Sequence, residues 1–238
     1  MKLIIPFQGE KLLDLGKRCG AVYVCPKVGT VRKGPLVAYA GKDSKGRNLV
    51  GDIYFNFRRI EVYPAAVMEF ADRAVHELQK QGLFGSFDTV CGIPHGGRTF
   101  GQMFALAAGK RFAYADKKPR PTEAGKKQEY TWDLSQFEFE QGERVAVAED
   151  VFNNFQNTDH TLAEIALAGA EVVLLVGALN RSPIYETTYK GLPVIASIRE
   201  AYPEYKQDDP EVAADVAAGN VEFEVKKNWA HLCAFMQQ

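Results

Sequence analysis

The sequence contains few cysteines, and they form no recognisable motif. Cys19, Cys25, Cys91 and Cys233 are scattered, with no Cys-x-x-Cys and no pair of nearby histidines. Structural zinc sites need closely spaced cysteines and histidines, and disulfide frameworks are typical of short secreted chains. Both kinds of site are therefore disfavoured, and we expect small buried or half-buried thiols instead.

Long apolar runs and an excess charge of one sign are also lacking. The apolar run VVLLVGAL, residues Val172–Leu179, is far shorter than the roughly 20 residues of a membrane-spanning helix. In the N-terminal segment, Pro6 and Glu10 interrupt the apolar residues too early for a signal peptide. The net charge is -1, so an anion site must be built locally. These features predict a cytoplasmic protein that binds neither nucleic acid nor membranes.

The middle of the chain alternates strand-like and helix-like segments. Its 238 residues, with 46% hydrophobic and 25% charged, suit one α/β domain with additions. The predicted strands are Phe87–Gly92, Arg111–Asp116, Arg144–Ala148, Glu171–Leu179 and Leu192–Ile198, and helices are predicted over 64–82, 98–109 and 158–168. Because these strands are nearly all apolar, we predict a mostly parallel sheet flanked by helices, over residues 61–200.

Two regions lie outside this alternation. Residues 1–60 are rich in glycine and contain the short β-like segments AVYVCP, PLVAYAG and DIYFNF, separated by turns. They predict a small antiparallel N-terminal hood. Residues 201–238 contain proline and many acids, with two short helical stretches, and form a predicted C-terminal extension.

The segment RVAVAEDVFNNFQNTDHT places two acids, Glu149 and Asp150, at the end of a predicted buried strand. A loop rich in hydrogen-bond donors follows; it contains Asn153, Asn154, Asn157 and Thr158. Such a loop before a helix N-terminus can hold a phosphate, whereas ionised carboxylates suit sugar hydroxyls. The sequence TLAE fits a capping box, which predicts that the helix starts near Thr161. An exposed strand end with no ligand is the alternative.

Two further loops follow predicted strands at the same sheet edge. The Gly-rich turn GIPHGGRT holds Pro94, His95, Gly96, Gly97 and Arg98, and its glycines permit the close backbone approach that a diphosphate needs. The basic segment DKKPRPTEAGKKQ holds Lys117, Lys118, Arg120, Lys126 and Lys127. Long loops such as the basic segment are often lids. The alternatives are a plain tight turn for GIPHGGRT and a solvated surface loop for the basic segment.

These segments, in this order, resemble the type I phosphoribosyltransferases, and orotate phosphoribosyltransferases in particular. VAVAEDV resembles the family's signature for phosphoribosyl pyrophosphate (PRPP). IYFNFRRIEVYPAAVMEFA resembles the junction between hood and core, DTVCGIPHGGRTFGQMFALAAGKRFAY the pyrophosphate loop, and LVGALNRS a later strand near the base. The resemblance covers roughly residues 34–200.

The resemblance implies transfer of ribose 5-phosphate from PRPP to a nucleobase, with Mg2+ entering through PRPP and not through a protein metal site. It implies catalytic roles for Asp150, Glu149, Lys117 and Lys118. It implies PRPP binding by Asn153, Asn154, Asn157, Thr158, Pro94, His95, Gly96, Gly97, Arg98 and Arg120. It implies that Arg181 binds the carboxylate of orotate and that Tyr54 and Phe55 lie against the base. A homodimer is also implied, with loop lysines reaching the neighbouring subunit's site.

The chain departs from the family pattern at two positions. The family's phosphate loop contains threonine and glycine, whereas this loop, NNFQNT, has no glycine and includes Phe155. If the Phe155 ring filled the volume of the phosphate, the site would be closed. In the hood, Tyr39 stands where the family has a lysine for the base.

The glycine-free loop leaves a second hypothesis open, a regulator that binds PRPP or a nucleotide without catalysis. A phosphoribosyltransferase for another base is also compatible with the sequence. An unrelated dinucleotide-binding enzyme is disfavoured, because GIPHGG does not match G-x-G-x-x-G.

Overall fold

The structure, a computed structural model, describes residues 3–121, 130–182, 188–200 and 202–236. The N-terminal hood contains helix α1 (Leu12–Arg18), strands β1 (Val22–Val24), β2 (Lys27–Val28), β3 (Val31–Arg32), β4 (Leu36–Lys42), β5 (Asn48–Gly51) and β6 (Ile53–Phe55), and a 3-10 helix (Phe57–Arg59). Its pairings β1–β6, β2–β3 and β4–β5 are antiparallel, as predicted. Helix α1 was not predicted.

The core elements are α2 (Pro64–Lys80), β7 (Thr89–Gly92), α3 (Gly96–Ala108), β8 (Arg111–Tyr114), β9 (Asp116–Pro119), β10 (Tyr130–Asp133), β11 (Arg144–Phe152), α4 (Gln156–Leu167), β12 (Glu171–Asn180), β13 (Thr188–Tyr189) and β14 (Leu192–Arg199). Six strands form one sheet in the order β13-β14-β12-β11-β7-β8. Within this sheet five strands are parallel and β13 runs antiparallel, which confirms the predicted mostly parallel α/β sheet.

Helices α2 and α3 cover one face of this sheet because each has an apolar stripe. On α2, Val67, Phe70 and Leu78 are fully buried, and Pro64 occupies the first turn, where its missing N–H is not needed. On α3, Phe100 and Phe104 are fully buried, and their rings stack with centroids 6.1 Å apart. Their burial fixes α3, and therefore the loop in front of it, against the sheet.

The C-terminal extension packs on the hood. It contains α5 (Ala213–Ala217), β15 (Val221–Glu222) and α6 (Trp229–Phe235), which include the two predicted helical stretches. Strand β15 pairs in parallel with β4, so the extension adds a strand to the hood sheet. The chain boundaries proposed near residues 60 and 200 stay a prediction.

Two sequence-based expectations about elements near the site are wrong. The capping box does not start α4: the helix begins at Gln156, and the Thr161 hydroxyl instead donates to the Asn157 carbonyl from within the helix. The start of the basic segment is a strand and not a loop: Asp116–Pro119 forms β9, which pairs with β10 in an antiparallel ribbon. Lys126 and Lys127 lie outside the described residues.

None of the helices within the described ranges is both long enough and apolar enough to cross a membrane.

Candidate active site

A cavity of about 410 Å³ opens where β7 and β11 end, between the core, the hood and the extension. The predicted site residues that line it are Tyr54, Phe55, Pro94, His95, Gly96, Lys117, Glu149, Asp150, Asn153, Asn154, Asn157, Thr158 and Arg181. Four other predicted site residues, Gly97, Arg98, Lys118 and Arg120, are not among the residues that line this cavity. The fold thus collects most of the predicted residues, as expected for strand ends of a parallel sheet.

The two acids lie within β11, which continues to Phe152 instead of ending at Ala148. Glu149 is 7% exposed, whereas Asp150 is half-buried. Burial, together with the neighbouring Asp150 carboxylate, raises the pKa of the Glu149 carboxyl well above its usual range. This shift favours the protonated form of Glu149, which can donate as well as accept a hydrogen bond.

The phosphate-loop candidate ends at Phe155, which precedes the first turn of α4. Phe155 has a φ of 55°, a left-handed conformation that glycine adopts readily and bulky residues adopt rarely. Its ring is stacked between Phe152 and Tyr189, at centroid distances of 5.1 and 4.1 Å, and is 5% exposed. The ring is therefore packed into the core, and the cavity beside α4 remains open.

The N-cap residue of α4 is Phe155, whose side chain offers no hydrogen-bonding group. The Gln156 N–H donates to Asn154 Oδ1 at 3.2 Å. Gln156, Asn157 and Thr158 form the first turn and line the cavity, so the helix presents its positive dipole end there. This arrangement suits an anion.

The Gly-rich turn also brings backbone close to β11. A Cβ on Gly96 would collide with the Asp150 carboxylate, and one on Gly97 would collide with the Ala148 carbonyl. Glycine is needed at Gly97, where the clash would be with backbone, for this close packing of α3 against the strand. Gly97 is buried between α3 and β11 and does not line the cavity. The peptide bond between Pro94 and His95 is cis.

The predicted cation of this turn, Arg98, is directed away from the cavity. Its guanidinium forms an ion pair with Asp116, donates to the Ala115 carbonyl at 3.1 Å and lies 4.2 Å from the centroid of the Tyr114 ring. Burial and the nearby cations Arg98, Arg58 and Lys117 lower the pKa of His95, which does line the cavity. His95 is therefore a neutral imidazole beside a positive potential.

The ribbon of β9 and β10 places one lysine at the cavity. The Lys117 ammonium lies 4.6 Å from the Tyr130 ring centroid and 5.1 Å from that of Trp132. Lys118 and Arg120, the other predicted site cations of this segment, point away from the cavity. Lys118 is ion-paired with Asp133, and Arg120 donates to Thr131 Oγ1 at 3.4 Å.

The predicted base wall contains Arg181, which is 5% exposed, and Tyr54, which is half-buried. The Arg181 guanidinium lies 3.9 Å from the centroid of the Tyr39 ring. Phe55 borders the cavity, but its ring packs in the hydrophobic core with Phe57 and Phe70. Tyr54 and Phe55 were both predicted to lie against the base. Of the two, only the Tyr54 ring lies outside that core cluster.

Two cations of the cavity were missed in the sequence, Arg58 and Lys226. Arg58 lies in the stretch FRR just before α2, where its side chain gave no motif to recognise. Lys226 comes from the extension, which lies beyond the part of the chain that carries the family resemblance. Together with Lys117, they make the cavity a local cationic site in a chain of nearly balanced charge.

Known proteins resemble this chain in sequence and in fold. No family model matches the chain. An orotate phosphoribosyltransferase from a Nitratiruptor species is 26% identical over 159 residues, which cover 67% of this chain and 70% of that protein.

Two solved structures share the fold. The orotate phosphoribosyltransferase of Aeropyrum pernix has a TM-score of 0.54 at 19% identity, covering 79% of this chain and 93% of that one. The UMP synthase of Leishmania donovani has a TM-score of 0.53 at 17% identity, covering 95% of this chain but only 41% of that one. The chain therefore has the fold of the type I phosphoribosyltransferases and is similar in sequence to an orotate phosphoribosyltransferase.

Proposed function

We propose that the protein is a phosphoribosyltransferase that moves ribose 5-phosphate from PRPP to a ring nitrogen of a nucleobase and releases pyrophosphate. The observation that carries the proposal is the convergence on one cavity of an acidic strand end, a helix N-terminus and a Gly-rich turn. These are the groups that a phosphorylated sugar with a diphosphate requires.

Each part of PRPP has a matching group in the cavity. The 5-phosphate would lie at the first turn of α4, where Asn157 and Thr158 supply N–H and side-chain donors. The ribose hydroxyls would contact Asp150 and Glu149. As the bond between the anomeric carbon and the pyrophosphate oxygen breaks and the bond to the base nitrogen forms, positive charge develops on the sugar, and the Asp150 carboxylate stabilises it.

The leaving pyrophosphate would be held at the Gly-rich turn, with the cations Arg58 and Lys117 nearby. Among the described residues, no group of three or more acidic, histidine or cysteine side chains is arranged as a metal site. Mg2+ is commonly held by one or two carboxylates plus substrate phosphates, and Asp150 fits that donor set. Mg2+ bound with PRPP would neutralise charge on the departing diphosphate.

Orotate is the base that the sequence comparison supports, since the similar protein of Nitratiruptor is named for it. Arg181 at the base wall is the group that would contact a carboxylate. A homodimer belongs to this proposal, because Lys118 and Arg120 lie outside the cavity of their own chain.

A second candidate is a protein that binds PRPP without transferring its sugar. The pairing of Arg98 with Asp116 and of Lys118 with Asp133 favours it, because these cations would otherwise neutralise the leaving group. The two candidates differ in a single readout, the release of pyrophosphate.

The test is incubation with PRPP, Mg2+ and a panel of bases, with pyrophosphate release measured for the wild-type protein and Asp150→Asn. We expect the variant to lower kcat/KM by about 100-fold, because it removes the charge opposite the developing cation. Asp88→Asn is the matched control: Asp88 is ion-paired with Arg144 at the opposite end of β11. Binding of PRPP with no release for any base would establish the second candidate, and near-normal turnover by Asp150→Asn would refute the assigned role.

A further inference from the structure

The guanidinium at the base wall already has a carboxylate partner from the same chain. Arg181 Nη2 donates to Glu204 Oε1 at 2.8 Å, and the two side chains are only 5% and 14% exposed. Arg181 Nε is buried with no hydrogen-bond partner among the described residues. Arg181 therefore enters the cavity as half of an ion pair and not as an unpaired cation.

Glu204 is held in place by the hood. On its C-terminal side, Tyr205 exchanges two backbone hydrogen bonds with Val50, at 2.8 and 2.9 Å. On its N-terminal side, the Pro203 carbonyl lies so close to Gly51 that a Cβ there would collide with it.

Further along the same segment, the Gln207 side chain donates to the Asn48 carbonyl at 2.9 Å, and Asp208 pairs with Lys45 and Arg47 at 2.8 and 2.9 Å. The Glu204 carboxylate is therefore held in a fixed position behind Arg181, which lines the cavity.

This arrangement changes which base the wall favours. A base that carries a carboxylate must place a second negative charge beside Glu204 on the same guanidinium, and like charges so close are unfavourable. A base without the carboxylate brings no second negative charge to this guanidinium and meets no such repulsion.

We propose that Glu204 is a specificity-determining residue, which weakens the binding of a carboxylated base and lets the site accept the same ring without the carboxylate. This inference rests on the proposed function, since it concerns the second substrate of that reaction. The probe pair is orotate and uracil, which differ only by the carboxylate.

The experiment compares wild-type protein with Glu204→Gln, in which the amide oxygen still accepts from Arg181 but the charge is gone. The matched control is Glu200→Gln, because Glu200 carries the same charge four residues earlier, is exposed, and accepts from Tyr202 instead of Arg181. Dissociation constants for both bases are measured by calorimetry without PRPP, and kcat/KM is measured separately for both bases with PRPP and Mg2+.

We expect Glu204→Gln to tighten orotate binding by about tenfold or more and to change uracil binding by less than about twofold. Glu200→Gln should leave both unchanged. An orotate-to-uracil preference that is the same in Glu204→Gln and wild type would overturn the inference, and it would place the orotate carboxylate at another cation such as Lys226. Failure of either protein to bind either base would overturn it as well.

The two proposals fail in distinguishable ways. The binding measurements require no turnover, so they report on Glu204 even if no base releases pyrophosphate. Absence of turnover with normal base binding would refute only the proposed reaction, and a normal reaction with an unchanged base preference would refute only the role of Glu204.

Discussion

At the residue scale, the neighbouring acids of β11 differ in chemistry because their environments differ. Alternation along a strand directs Glu149 and Asp150 to different surroundings, one buried and one half-buried. Burial raises the pKa of the Glu149 carboxyl and so favours its protonated form. Protonated Glu149 can donate a hydrogen bond, which a carboxylate cannot.

Glu149→Gln is expected to stabilise the protein at neutral and alkaline pH. In the unfolded chain Glu149 loses its proton above the usual pKa of 4.5, whereas in the folded protein it retains it, so wild-type stability falls as the pH rises above that value. The slope is roughly 1.4 kcal/mol per pH unit until the folded pKa is reached. Urea unfolding between pH 4 and pH 9 measures this.

Glutamine removes that slope, so the stability gain of Glu149→Gln should grow with pH and vanish near pH 4. The exposed Glu171, at the start of the adjacent strand β12, provides the control substitution Glu171→Gln. A gain that does not depend on pH would show that Glu149 is ionised in the folded protein.

Substitutions at Phe155 should reveal its backbone conformation. Phe155→Ala removes both ring contacts and is expected to lower the free energy of unfolding by about 3–5 kcal/mol. Phe155→Gly removes the same contacts but tolerates the positive φ, so it should be more stable than the alanine variant by roughly 1 kcal/mol. Denaturant unfolding of both variants measures the difference, and an alanine variant equal to or more stable than glycine would contradict it.

Residue type and spacing were sufficient to predict the acids and the amide donors, because these side chains have few uses together at a strand end. The conformation of Phe155 could not be predicted, because it depends on stacking with Tyr189, which is distant in sequence. The absence of glycine was a reason to doubt that this loop binds phosphate. In the structure, Phe155 adopts the left-handed conformation itself, and its ring packs against Phe152 and Tyr189.

At the element scale, the ribbon of β9 and β10 is attached to the helix that begins at the candidate phosphate loop. The Trp132 ring stacks on His160 of α4 at a centroid distance of 4.3 Å, with an interplanar angle of 16°. Trp132 is 6% exposed. This contact keeps Lys117, which lies over the same ring, at the mouth of the cavity.

Trp132→Ala should detach the ribbon without disturbing the sheet. We expect faster hydrogen exchange of the backbone amides in β9 and β10, unchanged exchange in β11, and weaker binding of PRPP because Lys117 loses its support. Tyr130→Ala is the control, since Tyr130 also contacts Lys117 but is 44% exposed. Equal exchange in the ribbon of Trp132→Ala and wild type would exclude this anchoring role.

The sheet strands were predictable because a buried parallel strand is almost wholly apolar, and α2 because its apolar stripe repeats at helical spacing. The start of α4 was not predictable, because the TLAE pattern of a capping box can also occur inside a helix, as it does here. The ribbon of β9 and β10 was not predictable, because the sequence does not show which charged residues face each other across the two strands, as Lys118 and Asp133 do.

At the scale of the whole molecule, the base side of the cavity depends on packing between the two ends of the described chain. Trp229 of α6 donates its indole N–H to the Gly20 carbonyl at 2.8 Å and lies 6.0 Å from the Tyr54 ring. It belongs to a cluster with Tyr23 and Val37 of the hood. The extension therefore supports the aromatic residue predicted to contact the base.

Trp229→Ala should raise the KM for the base more than the KM for PRPP, because Tyr54 loses its neighbour whereas the phosphate loop is untouched. The free energy of unfolding should also fall, by about 3–5 kcal/mol. Trp229→Phe keeps an aromatic ring and loses only the hydrogen bond, so its KM values should stay near those of wild type. Equal increases in the KM for the base and the KM for PRPP in Trp229→Ala would contradict a specific role of the extension on the base side of the cavity.

The strand pairing between β15 and β4 has a consequence for the order of events during synthesis. Leu36 and Val37 leave the ribosome long before Val221 and Glu222, their partners in the sheet. Until the later residues emerge, one border of the nascent hood exposes unpaired backbone groups to other chains. The parallel core can form first, whereas the hood becomes complete only after translation has passed α6.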